Sequence, residues 1–197
     1  ILQFFGGEAL LEWELVQQAI ELGDRLAKAH RKEISFILSS NGWSLDREKL
    51  AWLKPFQVKL ELSLDGDRET QNKFRHAKKR DGDSYDMGIA PRAKVIHESG
   101  LFYDVIMVVH PLNAHQLFDN FFHLVELGFR RIQINVGLGV KWQKKRHQTF
   151  IEELHKVGKV LLEGWKNGDD LVFVNAERPP MPIRLNGEVT VDWDGTV

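Results

Sequence analysis

Cysteine is missing from all 197 residues of this chain, so disulfide bonds, thiolate catalysis and cysteine-ligated metals are excluded within it. No apolar run approaches the roughly 20 residues that a membrane-spanning helix requires, and no signal peptide is recognisable. A net charge of −1 gives no global reason to expect binding to nucleic acid or membranes, and we interpret the basic clusters 78–80 and 144–146 as solvated loop or helix ends. The sequence therefore predicts a cytoplasmic protein without nucleic-acid or membrane partners.

The rest of the composition, 43% hydrophobic and 28% charged, is that of a globular chain long enough for one sizeable core. Short strands alternate with amphipathic helices, which is the pattern of parallel βα units. Strands are predicted at 1–5, 33–38, 58–64, 103–109, 131–136 and 171–174, and helices at 8–30, 47–53, 68–79, 85–98, 114–127 and 148–165. A stiff linker at 178–182 and a hairpin about Asn186-Gly187 are predicted after them.

The first helix has one leucine-rich stripe, which we expect to pack against the sheet. Its members, at helical spacing, are Leu11, Leu15, Ala19, Leu22 and Leu26.

Two further helices have recognisable starts, at which Asp46 and Asn113 are placed to act as N-caps. Asn113 fits a helix cap better than a ligand group. His110 is the histidine at a strand end, and the histidines form no pair with tight metal-ligand spacing, so no metal site is predicted.

Two of the predicted strands alternate strictly between apolar and polar residues. Helices cover the outer face of a βα sheet, so that face must be apolar and the polar residues should face inward. The outward set is Val58, Leu60, Leu62, Ile132 and Ile134, and the inward set is Lys59, Glu61, Ser63, Arg131, Gln133 and Asn135. A closed eight-stranded barrel fills its interior with branched apolar side chains, so this pattern favours an open interior that can hold a large polar ligand. Exposed edge strands would give a similar pattern.

The carboxyl ends of the predicted strands, where α/β folds bind ligands, carry small and polar residues. Gly6-Gly7 lets a ligand approach the backbone and Glu8 adds an anionic acceptor, although a Gly-Gly turn before an acidic helix start is also common. Asn41-Gly42 and Asp65-Gly66 fit plain tight turns equally well, and Arg75 also fits a solvated helix charge.

Taken in order, these ends form a series: Phe-Phe-Gly-Gly-Glu at 4–8, Ser-Ser-Asn-Gly at 39–42, Ser-Leu-Asp-Gly at 63–66 with Arg75 after it, and Asn113. The series resembles the radical S-adenosylmethionine (SAM) enzymes, especially the branch that modifies peptides and proteins and carries a C-terminal SPASM or twitch extension. The resemblance covers nearly the whole chain. It implies an α/β fold, a partial, open TIM-type parallel βα barrel at 1–168 that begins at its second strand, and a linker and short β-hairpin at 169–197 as the start of the extension.

By that resemblance, Gly6, Gly7 and Glu8 match the motif that receives the methionine amino group of SAM, where backbone carbonyls and a carboxylate suit a cation. Ser39 and Asn41 match residues that reach the ribose or the amino-acid portion. Ser63 and Arg75 match residues that hold the SAM carboxylate, for which a guanidinium is suited because it binds both oxygens at once. The backbone from Val136 to Leu138 would lie against adenine, and Asp65 becomes a candidate catalytic carboxylate that faces the substrate.

The chain also departs from the family pattern. Ala9 and Asp67 stand where relatives usually have proline, and Gln71-Asn72 replaces the usual His-Asp. The three-cysteine loop that binds the family's [4Fe–4S] cluster lies before the position of Ile1 in relatives, so the cluster ligands are expected outside this chain. Because the first residue is Ile rather than Met, we expect a fragment that is inactive as given.

The implied activity is reductive cleavage of SAM to a 5′-deoxyadenosyl radical, which abstracts hydrogen from a peptide or protein substrate. Its cofactors would be SAM and the [4Fe–4S] cluster, and an external electron donor would be a partner. The alternative is a cluster-free barrel that binds a nucleoside or peptide without catalysis. The presence of cysteines upstream of Ile1 would distinguish the two hypotheses.

Overall fold

The computed structural model describes residues 1–76, 83–177 and 191. Its centre is a six-stranded sheet in which every strand pairs in parallel with the next along the chain. The strands are β1 (Leu2–Phe4), β2 (Phe36–Ser40), β3 (Lys59–Ser63), β4 (Tyr103–Val109), β5 (Arg131–Val136) and β6 (Val172–Phe173). Sequential parallel strands joined by helices build the wall of a βα barrel, and within the described residues β1 and β6 remain edges. The predicted α/β fold, a partial and open TIM-type barrel, is confirmed.

Eight α-helices occur in the described residues: α1 (Trp13–Ala29), α2 (Arg47–Leu53), α3 (Arg68–Phe74), α4 (Ser84–Met87), α5 (Ala93–Ser99), α6 (Leu117–Glu126), α7 (Lys144–Lys166) and α8 (Val174–Glu177). The helix predicted at 85–98 is divided into α4, a 3₁₀ turn at Ala90–Arg92 and α5, because Pro91 cannot continue a helix from α4. Residues 77–79 of the predicted third helix and the hairpin about Asn186-Gly187 lie outside the described residues.

The alternation of strand faces is confirmed. Val58, Leu60, Leu62 and Ile132 are fully buried and Ile134 is 6% exposed, as expected for side chains under the helices. The polar residues that alternate with them are half-buried on the opposite, inner face: Lys59, Glu61, Ser63, Arg131, Gln133 and Asn135. The interior of this open barrel is therefore lined by polar groups, as the sequence predicted.

The face of α1 that packs on the sheet was predicted wrongly. Val16 and Ile20 are buried, whereas Leu11 and Leu15 of the predicted stripe are 70% and 63% exposed. The helix is rotated so that Gly23 faces the sheet, where an added Cβ would lie 3.0 Å from Ile34 Cδ1. A glycine permits this close approach, and it sets the rotation of the helix against the preference of the larger leucines for burial.

The two predicted N-caps have different outcomes. Asp46 Oδ1 accepts a hydrogen bond from the backbone N–H of Lys49 at 2.8 Å, so this cap is confirmed. Asn113 does not cap with its side chain, because its Oδ1 accepts from the backbone N–H of His110 at 2.8 Å and closes the turn after β4 instead. Among the described residues, no helix is both long enough and apolar enough to cross a bilayer.

Candidate functional site

Glu8 ties the end of β1 to the end of β2. Its Oε1 accepts a hydrogen bond from Ser40 Oγ at 2.9 Å, and its Oε2 accepts from the backbone N–H of Asn41 at 2.8 Å. The backbone N–H of Leu10 also donates to Oε1 at 3.4 Å and so caps the 3₁₀ turn at Ala9–Glu12. Both oxygens are held, so the carboxylate has a fixed orientation at the carboxyl edge of the sheet.

Gly6 and Gly7 leave open space beside Glu8. A Cβ added at either residue would meet no atom within 4 Å, and Gly6 has φ of 129°, which side chains other than glycine rarely adopt. The backbone here is accessible to a ligand, and its carbonyl groups lie next in sequence to an anchored anion. This combination can accept a cationic group such as an ammonium.

Ser39 belongs to a second group on the inner face. Its Oγ donates to Glu61 Oε2 at 3.1 Å, and Gln3 Nε2 donates to the same oxygen at 3.0 Å. The pairing of Ser39 with Glu61 in the sheet register brings these side chains together. The alternation of β3 placed Glu61 inside, but neither Glu61 nor Gln3 was nominated as a site residue.

Asn41 serves the turn and the site through different atoms. Its Oδ1 accepts from the backbone N–H of Trp43 at 2.9 Å, as an Asx turn does, while its own backbone N–H binds Glu8. Gly42 follows with φ of 81°, and a Cβ there would lie 2.2 Å from Ile89 Cδ1. The turn is therefore held in place by packing, which fixes the donor that Glu8 uses.

Arg75 is held by Asp65. Arg75 Nε donates to Asp65 Oδ2 at 2.7 Å and Nη2 donates to Oδ1 at 2.8 Å, which is a two-point ion pair. Asp65 Oδ1 also accepts the backbone N–H of Val108 in β4 at 2.9 Å. The side chain of Asp65 is 3% exposed and that of Arg75 is 30% exposed, so the carboxylate lies beneath the guanidinium.

The end of β5 presents apolar residues to solvent. Val136 is 43% exposed and Leu138 is 90% exposed, and between them the backbone N–H of Gly137 donates to Val109 O of β4 at 2.8 Å. A cleft of about 350 Å³ lies at this corner of the sheet edge. It is lined by His110, Pro111, Leu112, Val140, Lys141, Gln143 and Arg146.

A charged network occupies the opposite, amino-terminal end of the inner face. Asp104 is fully buried and pairs with Lys59 Nζ at 2.5 Å and with Arg131 Nε at 3.0 Å. Arg131 Nη2 continues to Glu177 of α8 at 2.7 Å. The hydrogen bonds from Arg131 lower the pKa of Glu177, and the same contact raises the pKa of Arg131. Because ligands of βα barrels bind at the carboxyl ends of the strands, we interpret this network at their amino ends as a contribution to stability.

The predicted site residues form separate groups along one edge of the sheet. Glu8 contacts Ser40 and Asn41, Ser39 contacts Glu61, and Arg75 contacts Asp65. Among the described residues, no hydrogen bond or ion pair links Arg75 to Glu8. Ser63 is half-buried at the carboxyl end of β3, on the same face as Glu61. In the part of the chain that the structure describes, no group of three or more His, Asp or Glu could hold a metal ion.

Ser40, like Glu61 and Gln3, is a residue of the candidate site that the sequence did not predict. It is 3% exposed, and its Oγ both donates to Glu8 and accepts the backbone N–H of Gly42 at 2.9 Å. The Ser-Ser-Asn-Gly string at 39–42 contains Ser40, but the family resemblance points to the neighbouring Ser39. A buried hydroxyl beside an acidic residue is visible only once β1 and β2 are paired.

A scan of protein-family models found no match, and a search of curated proteins found none either. Among solved structures, native anSMEcpe with bound AdoMet aligns with a TM-score of 0.76 at 20% identity, covering 89% of this chain and 50% of that chain. Native anSMEcpe with bound AdoMet and Kp18Cys peptide aligns with a TM-score of 0.76 at 19% identity over the same shares. The fold is a partial, open TIM-type βα barrel, which these AdoMet-bound chains share. The chain spans about half the length of these solved chains, and at this identity the similarity concerns the fold alone.

Proposed function

We propose that this chain is the core of a radical SAM enzyme that cleaves S-adenosylmethionine reductively and abstracts hydrogen from a peptide or protein substrate. The observation that carries the proposal is the anchored carboxylate of Glu8 beside the open backbone of Gly6 and Gly7. It lies at the carboxyl edge of a barrel that shares its fold with AdoMet-bound anSMEcpe. When bound, SAM supplies the 5′-deoxyadenosyl group for hydrogen abstraction.

The residues at this edge fit SAM. Glu8, with the carbonyl groups of Gly6 and Gly7, would accept the methionine ammonium, since the carboxylate is already oriented by two donors. Arg75 would bind the methionine carboxylate with guanidinium N–H groups oriented by its pair with Asp65. Ser39, Asn41 and Ser63 add polar groups for the ribose and the amino-acid portion. The backbone from Val136 to Leu138, at the end of β5, would lie against adenine.

Asp65 receives a different role in this proposal from the one that the sequence suggested. Its carboxylate is 3% exposed, and its oxygens accept from Arg75 and from Val108. A group enclosed in this way cannot contact a substrate directly without first releasing its partners. We assign Asp65 as a positioning residue that holds Arg75 toward the SAM carboxylate.

The iron–sulfur cluster does not fit the residues of this chain. A [4Fe–4S] cluster needs thiolate ligands, and the sequence has no cysteine. We propose that the ligands lie outside this chain, upstream of Ile1, and that residues 169–197 begin a SPASM or twitch extension. In this proposal the enzyme works in the cytoplasm with an external electron donor.

A cluster-free binding module is the second candidate, favoured by the absence of cysteine. Titration of the 197-residue chain with SAM and with adenosine distinguishes the two candidate functions. The readout is the NMR chemical shift of the backbone amides of Gly6, Gly7 and Asn41. The proposed function predicts weak SAM binding with shifts at these amides, reduced in Glu8→Gln because an anionic acceptor is lost. Tight binding of adenosine with equal strength to SAM would favour the binding module, and shifts only at other amides would contradict the proposed site.

A further inference from the structure

The cleft between the ends of β4 and β5 has a cationic lining. Lys141, which is exposed, and Arg146, which is half-buried, line this cleft together with His110 and Leu112. Within the described residues, neither Lys141 nor Arg146 takes part in an ion pair. The charges of these two residues are therefore available to an anionic partner.

The positive charge extends past the cleft, into the start of α7. Lys144 and Lys145 precede Arg146, and no Asp or Glu occurs between Glu126 and Glu152. Cations in the first turn of a helix oppose its dipole, and this turn contains no acidic residue to offset them. Basic residues here disfavour formation of the helix, and the turn contains nothing that offsets their effect. Sequence features that oppose local stability in this way are expected at functional sites. In a chain with net charge −1, this concentration of one sign points to a specific partner.

Apolar side chains flank the same cleft. Leu112 is 49% exposed on the cleft wall, and Leu138 is 90% exposed in the loop that leads from β5 to the cleft. The surface is thus amphipathic, with aliphatic groups beside cations. Its complement is a segment that carries both carboxylates and apolar side chains.

We propose that this basic cleft docks an acidic, apolar stretch of the peptide or protein substrate. The inference rests on the proposed function, because it names the chemical class of the substrate. Carboxylates would pair with Lys141 and Arg146 while apolar side chains cover Leu112 and Leu138. His110 directly follows β4, so a segment docked here lies at the carboxyl edge of the sheet, where the barrel opens. Nucleic acid fits less well, since the indole N–H of Trp142 donates to Gly137 O at 3.3 Å and the ring is half-buried beneath the loop, not displayed for base stacking.

Binding to a short fluorescein-labelled peptide rich in Glu and Leu tests the proposal, with fluorescence anisotropy of the 197-residue chain as the readout. Its counterparts replace every Glu with Lys or every Leu with Gly, and a single-stranded oligonucleotide of similar length is the competitor. The double variant Lys141→Gln/Arg146→Gln removes two cleft charges. The matched control Lys159→Gln/Lys166→Gln removes two exposed lysines from later turns of the same helix. Far-ultraviolet circular dichroism establishes that both variants fold.

We expect the Glu/Leu peptide to bind best, and the cleft variant to weaken it by about tenfold, as loss of two partly exposed ion pairs implies. Equal binding of the Lys peptide, equal weakening by the control variant, or tighter binding of the oligonucleotide would overturn the proposal. Because the assay needs neither cluster nor SAM, a failure here leaves SAM cleavage untouched. Acidic-peptide binding by a protein that is extended upstream, carries the cluster and still cannot cleave SAM would contradict the proposed function alone.

Discussion

Arg75 and Asp65 meet through two hydrogen bonds, of 2.7 Å from Nε to Oδ2 and 2.8 Å from Nη2 to Oδ1. The pair connects the end of α3 to the end of β3, and the bond from Val108 extends it to β4. Two residues that the sequence assigned to separate tasks therefore form one unit. A guanidinium fixed in this way loses little conformational freedom when it binds a carboxylate, which is the physical basis of its proposed role.

Arg75→Lys is expected to lower the free energy of unfolding by about 1–3 kcal/mol, because an ammonium keeps the charge but cannot make the two-point contact with a buried carboxylate. Urea denaturation measures the change. The matched control is Arg47→Lys, whose ion pair with Glu98 is exposed on both sides, at 67% and 43%. The control should change stability by less than about 1 kcal/mol. Equal losses in the two variants would show that the burial of Asp65 does not matter.

Ser40→Ala should release Glu8 from one of its donors. The hydroxyl both donates to Glu8 and accepts from Gly42, so its loss should cost about 1–3 kcal/mol in a buried position. Ser44→Ala, a half-buried serine in the turn that follows β2, should stay within about 0.5 kcal/mol of the parent. Thermal denaturation compares the two. We also expect smaller SAM-induced shifts at Gly6 and Gly7 in the Ser40 variant, and unchanged shifts would argue against an oriented carboxylate.

The rotation of α1 gives a third prediction. Ile20→Ala should lower the free energy of unfolding by about 2–5 kcal/mol, because Ile20 is fully buried. Leu15→Ala removes a side chain that is 63% exposed and should cost less than about 1 kcal/mol. Chemical denaturation measures both losses. A larger loss in Leu15→Ala than in Ile20→Ala would show that the leucine stripe, and not the face with Ile20, packs on the sheet.

The contact between Arg131 and Glu177 should make stability depend on pH. The folded-state pKa of Glu177 is lowered by the hydrogen bonds from Arg131, so this contact stabilises the fold above the unfolded pKa of a glutamate. The stabilisation is lost as pH falls through the lowered folded pKa. Glu177→Gln should therefore melt at a lower temperature than the parent at pH 7, and the difference should shrink in acid. A difference that stays constant across this range would exclude the ion pair as its cause.

Periodicity of two predicted the strands and their faces well, because a β-strand has only two faces and helices must cover the apolar one. β4 and β5 have the predicted bounds, and Glu61 and Gln133 lie on the predicted inner side. Helix faces were harder to predict, since a helix can rotate to satisfy several apolar stripes. In α1 the close approach at Gly23 decided in favour of Val16 and Ile20.

The contacts within the site depend on tertiary structure that the strand-end motifs do not encode. Glu8 and Ser40 are separated by 32 positions and meet only because β1 pairs with β2. Asp65 and Arg75 are closer in sequence, at ten positions, but their two-point contact requires α3 to end above β3. Composition and strand-end residues therefore predicted the edge of the sheet that carries the candidate site. The residues with which each site side chain forms hydrogen bonds could be identified only from the structure.

Formation of 5′-deoxyadenosine tests the central claim most directly. The protein extended upstream through the cysteine loop that we expect before Ile1 would be reconstituted with iron and sulfide without oxygen, then given SAM, a reductant and a Glu- and Leu-rich peptide. Mass spectrometry should detect 5′-deoxyadenosine, and its formation should depend on the reductant. Glu8→Ala should bind SAM roughly ten- to a hundredfold more weakly, because it loses a charge-assisted contact of about 1.5–3 kcal/mol. The 197-residue chain without cysteine should form none. An extended protein that carries the cluster, binds the peptide and forms no 5′-deoxyadenosine would contradict the account.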